Sequence, residues 1–215
     1  MNLRLLIELM DYKNLYNRLF FSLFFFLIYF ISLNNKYLLF IFGTCIYVVI
    51  FIEILKFFKN YFIFTCSYLS LSYICFTLYF FIFFDYIIFN ILIFTIILYD
   101  SFSFVSGKLL GKNYIFKYLS PKKTLEGYLG GIIFTNIMML SYFYLTNNDI
   151  NSTMLIKLIN LIIITSTIGD LIESYFKRLN NVKDSSQYLP GHGGYFDRFD
   201  SFIASIIMLT VFSLF

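Results

Sequence analysis

Residues 86–107 read YIIFNILIFTIILYDSFSFVSG. A helix that crosses the hydrocarbon of a bilayer needs roughly 20 mostly apolar residues. This run supplies them and ends in polar residues, from Asp100 on, that must face protein or water rather than lipid. Working outward, comparable runs lie at about 19–34, 37–57 and 61–83 before it and at about 128–146, 153–176 and 199–215 after it. The first of these is short. The expected fold is therefore all-α, a polytopic membrane helical bundle of about seven transmembrane helices, because helices satisfy their own backbone groups in lipid. Composition agrees. With 60% hydrophobic and 13% charged residues and a mean hydropathy of +0.81, the chain carries more apolar surface than a soluble domain of its size can bury.

The connections between the runs hold most of the charge. If the N-terminus and every second loop share one side, fourteen of the 16 Lys and Arg residues fall there, and Lys36 and Lys157 fall opposite. Basic loops stay in the cytoplasm during insertion. The N-terminus and the two longest loops, about 108–127 and 177–198, are thus expected to be cytoplasmic. The net charge of +4 does not read as a nucleic-acid surface, since the cations form short clusters between apolar runs with no solvated basic domain. Cys45, Cys66 and Cys75 sit inside apolar runs without metal-like spacing to the single His192, and read as packing residues. The 31 Phe and 19 Tyr share AT-rich codons with Ile, Asn and Lys, so aromatic abundance is discounted as a functional signal. No small-residue cleavage site follows the first apolar run, and no cleavable signal peptide is expected.

The polar residues at the ends of the runs need an explanation, because an unpaired charge near a span costs on the order of several kcal/mol. Asp100, Asp170, Glu173, Asp184, Asp197 and Asp200 lie at helix ends or in the second loop, near Lys177, Arg178, Lys183, His192 and Arg198. Ion pairs that anchor helix ends are one reading; a site for a metal-bound polyphosphate is the other. The stretch GHGGYFDRFD (191–200) favours the second. Its glycines let backbone N–H groups approach a ligand, and Asp197 and Asp200, three apart, share a helix face. Carboxylates of this kind bind Mg²⁺ through oxygen. In the first loop, SPKKTLEGYLGG (120–131) places Lys122 and Lys123 ahead of a helix start, where cations and the helix dipole suit phosphate. Ordinary flanking charge fits the same residues, and Gly127, Gly130 and Gly131 equally suit close helix packing. Asp100 with Ser101, Ser103, Ser106 and Gly107 forms a small polar strip, either site lining or packing. Asp85 and Asp149 read as solvated turn residues, and Glu53 as the partner of Lys56 one helical turn on.

The segment SYFKRLNNVKDSSQYLPGHGGYFDRFD (174–200) resembles the signature of bacterial phosphatidate cytidylyltransferases, also called CDP-diacylglycerol synthases. The family pattern runs Ser, any residue, apolar, Lys-Arg, four residues, Lys-Asp, a small residue, Leu-Pro-x-His-Gly-Gly, then Asp-Arg-apolar-Asp. Ser174, Phe176, Lys177, Arg178, Lys183, Asp184, Ser186, Leu189, Pro190, His192, Gly193, Gly194, Asp197, Arg198, Phe199 and Asp200 meet it. SPKKTLEG is similar to a second element of the family, and Asp100 with Gly107, Lys108, Gly111 and Lys112 to a third, so the resemblance covers about residues 95–215. Tyr195 stands where an aliphatic residue or Phe is usual, Phe102-Ser103-Phe104 departs from the third element, and Leu125 replaces a common Trp. The chain is also shorter than is usual for the family. On this reading residues 1–94 supply scaffold helices and 95–215 the catalytic region with its two cytoplasmic loops.

The resemblance implies that CTP and phosphatidic acid give CDP-diacylglycerol and pyrophosphate, in the bacterial inner membrane with the site on the cytoplasmic side. It implies Asp184, Asp197 and Asp200, with Asp170, as ligands of Mg²⁺ and of a possible second cation. Lys177, Arg178, Lys183, Arg198, Lys122 and Lys123 would hold phosphates, His192 would donate a hydrogen bond, and Ser174, Gly193, Gly194 and Asp100 would line the substrates. A homodimer is expected, with membrane lipids around it and no nucleic-acid partner. Two rival readings are a CTP-dependent lipid kinase and a transporter. The second is disfavoured because the acids crowd one interface and no internal repeat is visible.

Overall fold

The computed structural model describes residues 16, 20–33, 35–115, 118–121, 123–146, 151–186, 188–189 and 193–214. Lys122, Asp149 and His192 lie outside these, as do Arg4, Lys13, Arg18 and Lys117. The described residues form seven helices and no strand: α1 (Phe20–Ser32), α2 (Lys36–Phe57), α3 (Phe62–Leu78), α4 (Tyr86–Leu110), α5 (Leu125–Leu145), α6 (Ser152–Leu179) and α7 (Phe196–Phe212). A π-helical turn at Tyr79–Phe83 continues α3. The expected all-helical membrane architecture is borne out. Five helices (α2, α3 with its π turn, α4, α5 and α6) are long and apolar enough to cross a membrane. At 1.5 Å per residue, α1 and α7 reach only about 20 and 26 Å, short of a hydrocarbon core of about 30 Å.

Four helix starts have a side chain that takes up orphan backbone donors. Asn35 accepts from Tyr37 N at 2.9 Å, Asp85 from Ile87 N and Ile88 N at 2.7 and 3.0 Å, Thr124 from Gly127 N at 3.2 Å and Asn151 from Thr153 N at 3.0 Å. Asp85 is thus more than a solvated turn residue: it caps α4. Outward faces of the spans are apolar. Ile63 and Leu109 are each 75% exposed and Phe104 69%, a surface that lipid solvates and water does not.

The chain divides into two compact units. The first comprises residues up to Ser70 together with Phe176–Phe199. Its core holds Ile50, Ile54, Phe58 and Phe196, all fully buried, with the Phe58 and Phe196 rings edge-on at 5.7 Å. Phe25 of α1 packs edge-on against Tyr195 at 5.9 Å and Phe199 at 6.0 Å. The second comprises Leu71–Tyr175 and Asp200–Phe215. There Phe202 of α7 meets Phe76 at 6.2 Å and Phe89 at 6.4 Å. Ser72 and Thr210 bridge α3 and α7 by donating to the Ile203 and Cys75 carbonyls at 2.8 and 3.0 Å.

Within the second unit α4 and α5 pack through small residues. A Cβ on Gly127 would come within 2.8 Å of the Ser103 carbonyl oxygen, one on Gly131 within 2.7 Å of the Tyr99 ring, and one on Gly130 would strike Ser106. The sequence leaves these glycines open between phosphate binding and packing. Their contacts are packing, and the Ser103–Ser106–Gly107 strip is the other half of that interface.

Candidate functional site

In the first unit, the polar cluster begins where α6 stops. Asn181 adopts φ 55°, Val182 N donates to the Lys177 carbonyl at 3.0 Å and Asn181 N to the Arg178 carbonyl at 3.1 Å. This is a Schellman ending with Asn in the left-handed position that Gly usually fills. Asn60 fastens it from the α2–α3 turn: its N–H donates to Asn180 Oδ1 at 2.7 Å and its Nδ2 to the Leu179 carbonyl at 3.3 Å. Lys177 is thereby held in a fixed last turn.

Lys177 Nζ donates to Asp197 Oδ1 at 2.9 Å, with side chains only 17% and 10% exposed. The other carboxylate oxygen, Asp197 Oδ2, accepts from Ser185 N and Gly194 N, both at 2.9 Å. One carboxylate therefore joins the end of α6, the 184–186 segment and the start of α7. Gly193 sits against it at φ 86°, in the left-handed region. A Cβ there would lie 2.6 Å from Asp197 Oδ2 and 3.6 Å from Asp184 Cβ, so Asp184 stands beside Asp197 across this glycine. Lys183, Asp184, Arg178 and Arg198 are exposed, and Ser174 is half-buried. His192 and Lys122, expected to join them, lie outside the described residues.

Glu53 differs from its expected role. It does not pair with Lys56, which lies over the Phe57 and Tyr188 rings at 5.4 and 5.5 Å. Glu53 is fully buried. Its Oε2 accepts from Phe196 N at 2.8 Å, and its Oε1 accepts from Tyr195 N at 3.2 Å and from Ser186 Oγ. The physical reason is the start of α7: its first amides have no intrahelical acceptor, and in apolar surroundings a buried carboxylate satisfies them better than an exposed ammonium satisfies the carboxylate. A lone acid in the 22-residue α2 was the available signal; its partners are more than 130 residues away in sequence.

The second unit gathers a different set. Asp170 of α6 is ion-paired through Oδ2 with Lys123, and its Oδ1 accepts from Ser201 Oγ at 2.7 Å. Ser166 Oγ donates to Ser201 Oγ at 3.0 Å. Asp200 Oδ1 accepts from Ser201 N at 2.8 Å. The acidic charges that bear on Asp200 are those of Asp170, Glu173 and Asp100, in falling order. Glu173 is buried and Asp100 exposed. Gly169 makes this approach of α6 to α7 feasible, since a Cβ there would lie 2.5 Å from the Asp200 carbonyl oxygen and 2.8 Å from Ala204 Cβ.

Lys123 is aimed at Asp170 by a clamp. Glu126, in the first turn of α5, accepts from Lys112 N at 3.0 Å, from Asn113 N at 3.2 Å and from Asn113 Nδ2 at 2.8 Å. Ile115 N donates to the Lys123 carbonyl at 3.1 Å and Leu125 N to that of Asn113 at 2.8 Å. The segment after α4 is thus folded back along the approach to α5. Glu126 belongs to the SPKKTLEG element, whereas Ser201 and Gly169 contribute here without standing out by residue type in the sequence.

The family model described as the cytidylyltransferase family matches residues 4–215. The chain belongs to the cytidylyltransferase family. Proteins named phosphatidate cytidylyltransferase from Staphylococcus haemolyticus (strain JCSC1435), Staphylococcus aureus (strain COL) and Staphylococcus saprophyticus are each 38% identical to it over 112 residues. That stretch is 52% of this chain and 43% of theirs, less than half the length of these relatives. In this cytidylyltransferase-family chain the charged residues form two arrangements, Lys177–Asp197 with Asp184, and Lys123–Asp170 with Asp200. Among the described residues no group of three or more His, Cys, Asp or Glu side chains is gathered closely enough to hold a metal by itself. The available donors are carboxylate oxygens, which suit Mg²⁺. That ion takes one or two carboxylates and completes its shell with water and substrate phosphates, so the donor set fits it.

Proposed function

We propose that this chain transfers a cytidylyl group from CTP to phosphatidic acid, giving CDP-diacylglycerol and pyrophosphate at the cytoplasmic face of a bacterial inner membrane. The observation that carries the reading is the Lys177–Asp197 grip, with both Asp197 oxygens engaged, inside the segment that resembles the phosphatidate cytidylyltransferase signature. Family membership and the names of the relatives support it. A non-bridging oxygen of the lipid phosphate attacks the α-phosphorus of CTP; the bond from that phosphorus to the β-phosphate bridging oxygen breaks, and pyrophosphate leaves. The nucleophile is already an anion near neutral pH, so no general base is assigned. The difficulty is bringing two anions together, and cations answer it.

The exposed Lys183, Arg178 and Arg198 are assigned to phosphates, Arg through bidentate contact and Lys as a point charge. Lys177 holds Asp197 in one orientation, and Lys123 does so for Asp170. Asp184 with Asp197, and Asp170 with Asp200, are the carboxylates assigned to a divalent ion. When bound, that ion supplies charge neutralisation to the triphosphate. Lys122 and His192 are assigned to substrate phosphates on the resemblance alone.

The test is an incubation of the purified protein in detergent with CTP, phosphatidic acid and Mg²⁺, with mass detection of the lipid product. The expected product is the liponucleotide, lost with excess EDTA and restored by Mg²⁺. A folded preparation that yields none would contradict the proposal, and activity undiminished by EDTA would remove its metal component.

A further inference from the structure

Glu53 has no task in the reaction as written above, yet it is the most completely enclosed charged side chain in α2. An acid so placed is costly unless every lone pair is used, and here each carboxylate oxygen is used on the same loop. Tyr195 N, Phe196 N and Ser186 Oγ all donate to it. These donors lie between Asp184 and Asp197 in sequence, and Ser185 N and Gly194 N, their immediate neighbours, donate to Asp197. The loop is thus held by two carboxylates back to back. Asp197 takes the amides of Ser185 and Gly194, and Glu53 takes those of Tyr195 and Phe196 with the Ser186 hydroxyl. Gly194 explains itself by the same geometry, since a Cβ on it would collide with Glu53 Oε1 and Ser185 Oγ.

We propose that Glu53, which lies outside the signature segment, is a positioning residue for cytidylyl transfer. Its buried carboxylate fixes residues 184–186 and 193–197 through Ser186, Tyr195 and Phe196 and so sets where Asp184 and Asp197 stand. The proposal rests on the function proposed above. It follows that the α7 N-terminus is neutralised by this chain's own acid, and that substrate phosphates fall to side-chain cations. Glu53→Gln keeps the shape and one acceptor but loses the charge and the second acceptor. The exposed Lys183, Arg178 and Arg198 are untouched, so ground-state binding persists while the geometry needed in the transition state loosens.

The experiment compares unsubstituted protein, Glu53→Gln and Ile50→Ala, all in detergent. Ile50 is a fully buried α2 residue that serves as the stability control. Rates are taken per folded molecule, and amide hydrogen exchange is followed over residues 183–199. For Glu53→Gln the expected kcat falls about tenfold or more, KM for CTP stays within about threefold, and exchange accelerates at Ser185 and at 194–196. Ile50→Ala lowers the thermal midpoint and leaves kcat per folded molecule within about twofold. Glu53→Gln with unchanged kcat and unchanged loop exchange overturns the inference, and so does a kcat loss that Ile50→Ala reproduces. If the unsubstituted chain makes no liponucleotide, the reaction fails and not the anchoring, which exchange alone then decides: faster exchange in Glu53→Gln keeps it and unchanged exchange removes it.

Discussion

Asp197 accepts an ammonium on one oxygen and two backbone amides on the other, so an isosteric amide at this position has an instructive fate. Asparagine keeps a single carbonyl oxygen. It can serve either Lys177 or the Ser185 and Gly194 amides, and the NH₂ group then faces a donor. Asp197→Asn is expected to lower the rate of liponucleotide formation by about 10² or more, the scale of losing one preorganised electrostatic contact. It should destabilise the fold by about 1–3 kcal/mol through the unsatisfied donors. Initial rates and a thermal midpoint measure the two effects, and an unchanged rate would take Asp197 out of the chemistry. Lys177, Asp184, Asp197 and Asp200 were legible in the sequence because charge is scarce in an apolar chain and each scarce charge needs a reason. Glu53 was visible for the same reason but acquired the wrong partner. Spacing along a helix proposes neighbours three or four residues away, whereas its donors arrive from Ser186, Tyr195 and Phe196.

The helix ends differ from the limits of the apolar runs for physical reasons. The run quoted for the fourth span, 86–107, became Tyr86–Leu110, and 153–176 became Ser152–Leu179. Counting apolar residues locates the part immersed in lipid, but a helix continues past that part until a cap ends it. The last helix shows this best. Read from residue 199, it begins at Phe196, because Asp197 and Arg198 are polar yet helical and Glu53 takes up the first amides. The small-residue face of α5 was legible as a choice between two readings, and only a partner helix could decide it. Gly131→Leu places a branched side chain where a Cβ alone would already lie 2.7 Å from the Tyr99 ring. It is expected to lower stability by about 1–3 kcal/mol, the usual cost of overpacking, seen as a lower thermal midpoint in detergent. A midpoint equal to the parent's would mean that α4 and α5 do not meet through this face.

Across the whole molecule, one charge asymmetry sets the expected orientation. Fourteen of 16 basic residues fall on a single side if the apolar runs alternate across the membrane, so the α4–α5 and α6–α7 loops are expected to face the cytoplasm, where CTP is available. Tyr118, 95% exposed between α4 and α5, is a suitable reporter. In a background with Cys45, Cys66 and Cys75 replaced by serine, Tyr118→Cys is expected to react with a membrane-impermeant maleimide in inside-out vesicles and not in intact cells. The reverse pattern would put these loops outside, away from the nucleotide. The reaction itself is tested most directly by following the phosphorus. Purified protein is given phosphatidic acid, Mg²⁺ and CTP labelled at either the α- or the γ-phosphate, and the lipid is extracted and counted. Label entering the lipid from the α position, with γ label recovered in pyrophosphate, is the expected result. Label entering the lipid from the γ position alone would mean phosphoryl transfer and would contradict cytidylyl transfer.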